Sequence, residues 1–123
     1  MKALVVDDSA VMRKVLIGAL ARASISDVSQ AADGKEAVEA VMNGDFGLVL
    51  MDWNMPNMLG IDAVREIRAK GKTVPIIMVT TEAEKSRVIE ALKAGATNYI
   101  IKPFEPATIV AKIQEVLSKA GAQ

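Results

Sequence analysis

The sequence predicts an α/β fold: a five-stranded parallel sheet, doubly wound, with helices on both faces. Three observations predict it. Short aliphatic runs alternate with longer stretches of helical spacing, five times along the chain. The runs read as continuously apolar rather than alternating, as strands do when helices cover both faces. The length, 123 residues, suits one domain, so 1–123 is expected to be a single domain with no output module attached.

The elements follow in order. Strands are expected at Ala3–Val6, Val28–Ala31, Leu48–Met51, Ile76–Val79 and Tyr99–Ile101. Val11, Val15 and Leu16 share one face of the first helix. Asp33-Gly34-Lys35-Glu36 has capping-box spacing for the second. Ile61, Val64 and Ile67 form the stripe of the third. Thr81-Glu82-Ala83-Glu84 is a second capping box, ahead of Val88, Ala91 and Leu92 in the fourth helix. Pro106 suits the first turn of the last helix, whose stripe is Ile109, Ile113, Val116, Leu117 and Ala120. Gly71, Gly95 and Gly121 stand where helices should stop. Five such units suggest a flavodoxin-like (βα)5 sheet in the order 2-1-3-4-5. That order is taken from the fold class and not from spacing.

Composition removes several functions. Lys+Arg and Asp+Glu both number 15, so the formal charge is zero. Phosphate-neutralising nucleic-acid binders and polybasic membrane binders carry a basic excess that this chain lacks. With no Cys and no His, thiolate chemistry, zinc fingers and imidazole bases are excluded. Catalysis must run on carboxylates, hydroxyls, amines or an oxygen-held metal. No apolar run approaches bilayer length and no signal-peptide pattern opens the chain, so a cytoplasmic protein is expected.

Ligands of open α/β sheets bind beyond the carboxyl ends of the strands. Asp7 and Asp8 follow the first strand, Asp52 and Asn54 the third, Thr80 and Thr81 the fourth, Lys102 and Pro103 the fifth. After the second comes only Asp33, read as a helix cap. Each has an ordinary reading as well. Asp7-Asp8-Ser9 can cap a helix, Asp52 can begin a turn, Thr80 suits a strand end, and Lys102 can be a solvated cation. Together they place three carboxylates and an ammonium at one end of adjacent strands. Two carboxylates about 4 Å apart repel by about 4 kcal/mol at an effective dielectric of about 20. A divalent cation relieves that repulsion, and a small oxygen-only donor set suits Mg²⁺. Asp52 can then attack phosphorus, with Lys102 and Thr80 answering charge on the phosphoryl oxygens.

At these residues the chain resembles a bacterial response-regulator receiver domain, of the single-domain chemotaxis branch. The resemblance covers essentially the whole chain. It rests on Val5-Val6-Asp7-Asp8-Ser9, Met12-Arg13, Met51 to Met58, Thr80, Ala94-Gly95-Ala96, Tyr99 and Lys102-Pro103-Phe104. It implies Asp52 as phosphoacceptor from a sensor histidine kinase. It implies Mg²⁺ held by Asp7, Asp8, Asp52 and the Asn54 carbonyl. Thr80 and Lys102 would engage the phosphoryl group, and the Lys102-Pro103 peptide would be cis. Tyr99 would be an aromatic switch, moving inward as Thr80 moves toward the phosphate. The output face would comprise Lys85, Val88, Leu92, Tyr99 and Lys112, with a flagellar motor switch protein as target. The residues two beyond Asp52 and Thr80, Asn54 and Glu82, would tune dephosphorylation.

Two residues depart from the family's usual pattern. Leu59 stands where most members carry Asp, which removes a cap for the third helix. Thr81 replaces Ala beside the phosphoryl site. A non-enzymatic, monomeric switch is therefore expected, served by a kinase and a phosphatase. A phosphorelay intermediate handing its phosphate to a His domain is the alternative. A haloacid-dehalogenase-type phosphatase fits less well, because Asn54 occupies the place of its second acid. An FMN carrier lacks its phosphate loop after the first strand.

Overall fold

The computed structural model describes residues 1–121. Ten elements alternate: β1 Lys2–Val6, α1 Ala10–Arg22, β2 Asp27–Ala31, α2 Gly34–Asn43, β3 Leu48–Met51, α3 Gly60–Ala69, β4 Ile76–Thr80, α4 Lys85–Ala94, β5 Asn98–Ile101 and α5 Pro106–Gly121. All strand pairs are parallel, in the order β2-β1-β3-β4-β5. No helix among the described residues is long and apolar enough to cross a membrane.

Successive strand residues face opposite sides of the sheet, so two cores form. Leu4, Val6, Val49, Met51, Ile76 and Met78 pack with α2, α3 and the Ala91 side of α4, together with Trp53 and Tyr99. Ala3, Val5, Leu48, Leu50, Ile77 and Val79 pack under Leu16, Ala19 and Leu20 of α1 and Ile109, Ile113 and Val116 of α5. The first core buries Met51, Met55 and Met78, with Met42 and Met58 against it. The buried side chains of the second are aliphatic throughout, and Met12 only packs at its margin.

Several expectations need correction. Val11 and Val15 are 74% and 45% exposed. The first helix buries Leu16 as expected, with Ala19 and Leu20 in place of the two valines and Met12 beside them. α1 is apolar on most sides, so its periodicity allowed two stripes. β2 is an edge strand with only Ala31 buried, and Ile101 at the end of β5 is 43% exposed. Burial on both faces therefore holds for β1, β3 and β4. Leu92 and Ala120 also face solvent.

The capping box proposed at Thr81 is absent. Helix α4 starts at Lys85, and its N-cap Glu84 makes no side-chain cap bond. The preceding residues are held in another conformation, because the Glu82 N–H donates to Thr80 Oγ1 and the Glu82 carbonyl accepts from Tyr99. The other box forms: Glu36 N donates to Asp33 Oδ1 at 2.8 Å, and Glu36 Oε1 accepts from Ala32 N at 3.0 Å. Its return arm lands one residue before the cap. Ser9 caps α1 by accepting from Met12 N. Gly71 and Gly95, with φ of 82° and 115°, follow α3 and α4 as expected. The described part of α5 runs to Gly121, so its expected end falls at the edge of the described residues.

Candidate functional site

Strand register assembles the site. Val6 pairs with Met51, Met51 with Met78, and Thr80 with Ile101. The residues that follow or end these strands, Asp7, Asp52, Thr80 and Lys102, therefore stand in a row at the carboxyl edge. Two backbone bonds fix the row: Asp52 N to the Val6 carbonyl at 3.0 Å and Lys102 N to the Thr80 carbonyl at 2.8 Å. β1 and β3 lie side by side where strand order reverses, which is where open α/β sheets bind ligands.

Carboxylate oxygens of Asp7, Asp8 and Asp52 lie within 4.8 Å of one another. Asp7 and Asp52 are buried, and Asp8 is exposed. Lys102 Nζ donates to Asp7 Oδ2 at 2.8 Å and lies 3.5 Å from Asp52 Oδ2. Asp7 Oδ1 accepts from Ser9 N, and Asp52 Oδ1 accepts from Trp53 N at 2.8 Å, which holds the carboxylate's orientation. Burial raises the Asp52 carboxyl above its ordinary range. Lys102 opposes that rise, while the neighbouring charge of Asp7 adds to it. One ammonium reaches two of the three clustered carboxylates. Clustered, partly solvated and all oxygen, this donor set fits a hard divalent cation.

The rim is a second network. Thr80 is fully buried, and its Oγ1 accepts from Glu82 N at 3.2 Å, so its own hydrogen can be donated elsewhere. The Glu82 carbonyl accepts from the Tyr99 hydroxyl at 2.6 Å. Glu82 Oε2 accepts from Asn54 Nδ2 at 2.9 Å, and Oε1 lies 3.7 Å from Arg87 Nε. The Arg87 guanidinium sits 5.5 Å over the Trp53 ring. Glu82 thus connects the loops after β3 and β4. Sequence reading singled out Glu82 and Asn54 separately. It missed Arg87, because a charged residue on a helix face has no signal distinguishing it from a solvated one.

It also missed the structural part of Arg13. That guanidinium donates to the Asp7 carbonyl at 2.6 Å and to Gln30 Oε1 at 2.8 Å, tying α1 and β2 to the first acidic loop. Leu59 is the N-cap of α3 and makes no side-chain cap bond, as its departure from the usual pattern implied. The Lys102-Pro103 peptide is cis, as expected.

The remaining predicted residues lie apart from the acids. Lys85 and Leu92 are exposed and Val88 is half-buried on α4. Tyr99 is packed inward on β5. Lys112 on α5 reaches Asn98 Oδ1 at 3.5 Å. Tyr99, Ile101, Pro103, Phe104 and Lys112 line a shallow cleft between β5 and α5.

Comparison with known proteins agrees with this geometry. Residues 3–114 match the model of the response regulator receiver domain. Chemotaxis protein CheY1 of Helicobacter pylori strain J99 is 48% identical over 120 residues, covering 95% of this chain and 97% of its own. A chemotaxis protein CheY homolog of Campylobacter jejuni is 45% identical over 126 residues, covering 100% of this chain and 97% of its own. Among solved structures, Vibrio cholerae chemotaxis protein CheY4 superposes with a TM-score of 0.85 at 37% identity, covering 94% of this chain and 97% of its own. A CheY-like receiver domain protein from Methanospirillum hungatei gives 0.87 at 30%, covering 96% and 94%. Sheet order, acidic cluster and full-length similarity agree, and the chain belongs to the response regulator receiver domain family.

Proposed function

We propose that this chain is a phosphorylation-activated response regulator of the chemotaxis kind, with Asp52 as its phosphoacceptor. The observation that carries the reading is the convergence of Asp7, Asp8 and Asp52 oxygens within 4.8 Å, with Lys102 reaching Asp7 and Asp52. The phosphorelay alternative is not retained, because relatives matched over 97% of their own length are chemotaxis proteins by name.

Asp8, Asp52 and the Asn54 carbonyl would hold Mg²⁺, with Asp7 organising the site. Bound there, the ion supplies Lewis-acid neutralisation of phosphoryl oxygens. An Asp52 oxygen attacks the phosphorus of a kinase phospho-His. The new O–P bond forms as the P–N bond breaks, and the imidazole leaves. Lys102 neutralises a phosphoryl oxygen, and Thr80 donates its hydroxyl hydrogen to another. The chain contains no His, so no imidazole of its own serves as base for hydrolysis, and the acyl phosphate persists. Thr80 and Tyr99 bond opposite ends of the same residue, Glu82. A pull on Thr80 is therefore felt at Tyr99 and biases the face built from Lys85, Val88, Leu92, Tyr99 and Lys112. The partners are a sensor kinase, a target of the motor-switch type and a phosphatase acting on the same site, met by a cytoplasmic monomer.

Trp53 follows the phosphoacceptor and is the only tryptophan, so its fluorescence tests the reading. Mg²⁺ should change the emission. Acetyl phosphate should change it again, with a phosphoryl adduct in the intact mass, and neither the second change nor the adduct should occur in Asp52→Asn. Absence of both fluorescence changes and of the adduct in the wild type refutes it.

A further inference from the structure

The loop between β3 and α3, residues 52–60, carries the proposed phosphoacceptor and Asn54. Its start is fixed by β3, and its end by the bond from Gly60 N to the Trp53 carbonyl at 2.9 Å. Its tip lies against a different element. Asn57 Nδ2 donates to Asp33 Oδ2 at 2.6 Å, and Gly34 N donates to the Met58 carbonyl at 3.2 Å. A Cβ at Gly34 would stand 2.6 Å from the Met58 oxygen, so only glycine permits this approach. Asn57 adopts a left-handed φ of 66°, which costs a non-glycine residue energy unless its surroundings hold it.

Asp33 holds it with a fork. Oδ1 caps α2 through Glu36 N, and Oδ2 grips Asn57. Those two bonds also keep the Asp33 carboxyl below its ordinary range, so it is ionised at neutral pH. An N-cap needs only one oxygen, and Ser or Asn supplies one equally well. The second oxygen acts on the loop.

We infer that Asp33 is a positioning residue for the phosphoacceptor loop, acting through the Asn57 side chain. It sets the tip of residues 52–60, and so the placement of Asn54 for the metal. It touches none of the three clustered acids through any of its hydrogen bonds and belongs to the edge-strand side of the sheet. Partners that orient metal-binding groups from behind weaken the site when removed. The metal half of this inference rests on the proposed function; the loop half does not.

Three variants separate the two oxygens. Asp33→Ser keeps the cap and loses the grip. Asn57→Gly keeps the left-handed backbone and loses the amide. Asp33→Asn keeps both bonds, since its oxygen caps and its amide donates to a flipped Asn57. In metal-free protein, amide exchange at Gly60 should rise about fivefold in Asp33→Ser and Asn57→Gly, the loss of one partly buried hydrogen bond. The double variant should rise no further, because both changes break one interaction. Asp33→Asn should match the wild type. The Mg²⁺ concentration at the midpoint of the Trp53 response should follow the same pattern. Unchanged exchange in both single variants, or multiplying effects in the double, overturns the inference. Altered exchange with an unaltered Mg²⁺ midpoint overturns the metal half of the inference. A wild type that ignores Mg²⁺ but shows the exchange pattern refutes the metal reading and leaves the loop restraint standing.

Discussion

The hydroxyl of Tyr99 donates to the carbonyl of Glu82 at 2.6 Å, joining the second residue of β5 to the loop after β4. Burial, reinforced by Glu82, pushes the Tyr99 phenol from 10.0 up to about 12. The fold therefore favours the neutral phenol. That stability is present below the unfolded value of 10.0 and is lost as pH rises through about 12. Tyr99 is the only tyrosine, so tyrosinate absorbance reads it alone. The native protein should titrate near 12 and the urea-unfolded chain near 10. Tyr99→Phe should cost about 1 kcal/mol in denaturant unfolding, the worth of an ordinary hydrogen bond. A native midpoint at the unfolded value would refute both.

The acidic cluster should destabilise the metal-free protein. Asp8 is exposed and belongs to a cluster spanning at most 4.8 Å, so its repulsion is weakened by solvent. Asp8→Asn should raise metal-free stability by about 1 kcal/mol, the size of a screened unit-charge repulsion. Added Mg²⁺ should stabilise the wild type and leave the variant unmoved, since a ligand stabilises only the state that binds it. Thermal melts with and without Mg²⁺ check this; a variant less stable than the wild type without metal contradicts it.

Arg13 spends its charge on neutral acceptors, the Asp7 carbonyl and Gln30. Arg13→Ala should cost about 2 kcal/mol, in the range for hydrogen bonds from charged groups. Arg13→Lys should recover less than half, because one ammonium does not reproduce the guanidinium's divergent donors. Urea unfolding of the two variants is the measurement, and full recovery by lysine would show that only charge matters.

A Cβ at Gly60 would fall 1.8 Å from the Asp52 carbonyl oxygen. Gly60→Ala must therefore displace the loop that bears Asp52, at a cost of about 3 kcal/mol, the upper end for overpacking. Phosphoryl uptake from acetyl phosphate, read by intact mass, should fall at temperatures where the variant is still folded. Wild-type stability together with wild-type uptake would contradict this.

How much of this was legible beforehand depended on how far each signal reached along the chain. The five strands were readable because each is a compact run, and the strand-end residues Asp7, Asp52, Thr80 and Lys102 because chain direction in a parallel sheet sends them to one edge. Leu16 was read correctly, but Val11 and Val15 were chosen over Ala19 and Leu20 because α1 is apolar on most sides, and only tertiary contact selects the buried stripe. The second grip of Asp33 was invisible for another reason. Its cap is local, three residues long, whereas its bond to Asn57 spans 24 residues and leaves no periodic trace. The same holds for Glu82 and Asn54, 28 residues apart. The missing cap at Thr81 shows the reverse case, a sound local pattern overruled by the bonds that hold Glu82.

The two sides of the sheet are not made of the same material. Methionine thioethers, with three rotatable bonds and no branch, refill space as neighbours shift, whereas branched aliphatic side chains keep theirs. Met51, Met55 and Met78 lie on the side that also holds Trp53 and Tyr99, and the α1–α5 side buries none of them. The sheet therefore separates a yielding half from a stiff one. An aromatic ring can be re-seated on the first side without the second having to repack, so the stiff half acts as the fixed frame against which a small displacement becomes a readable change of shape.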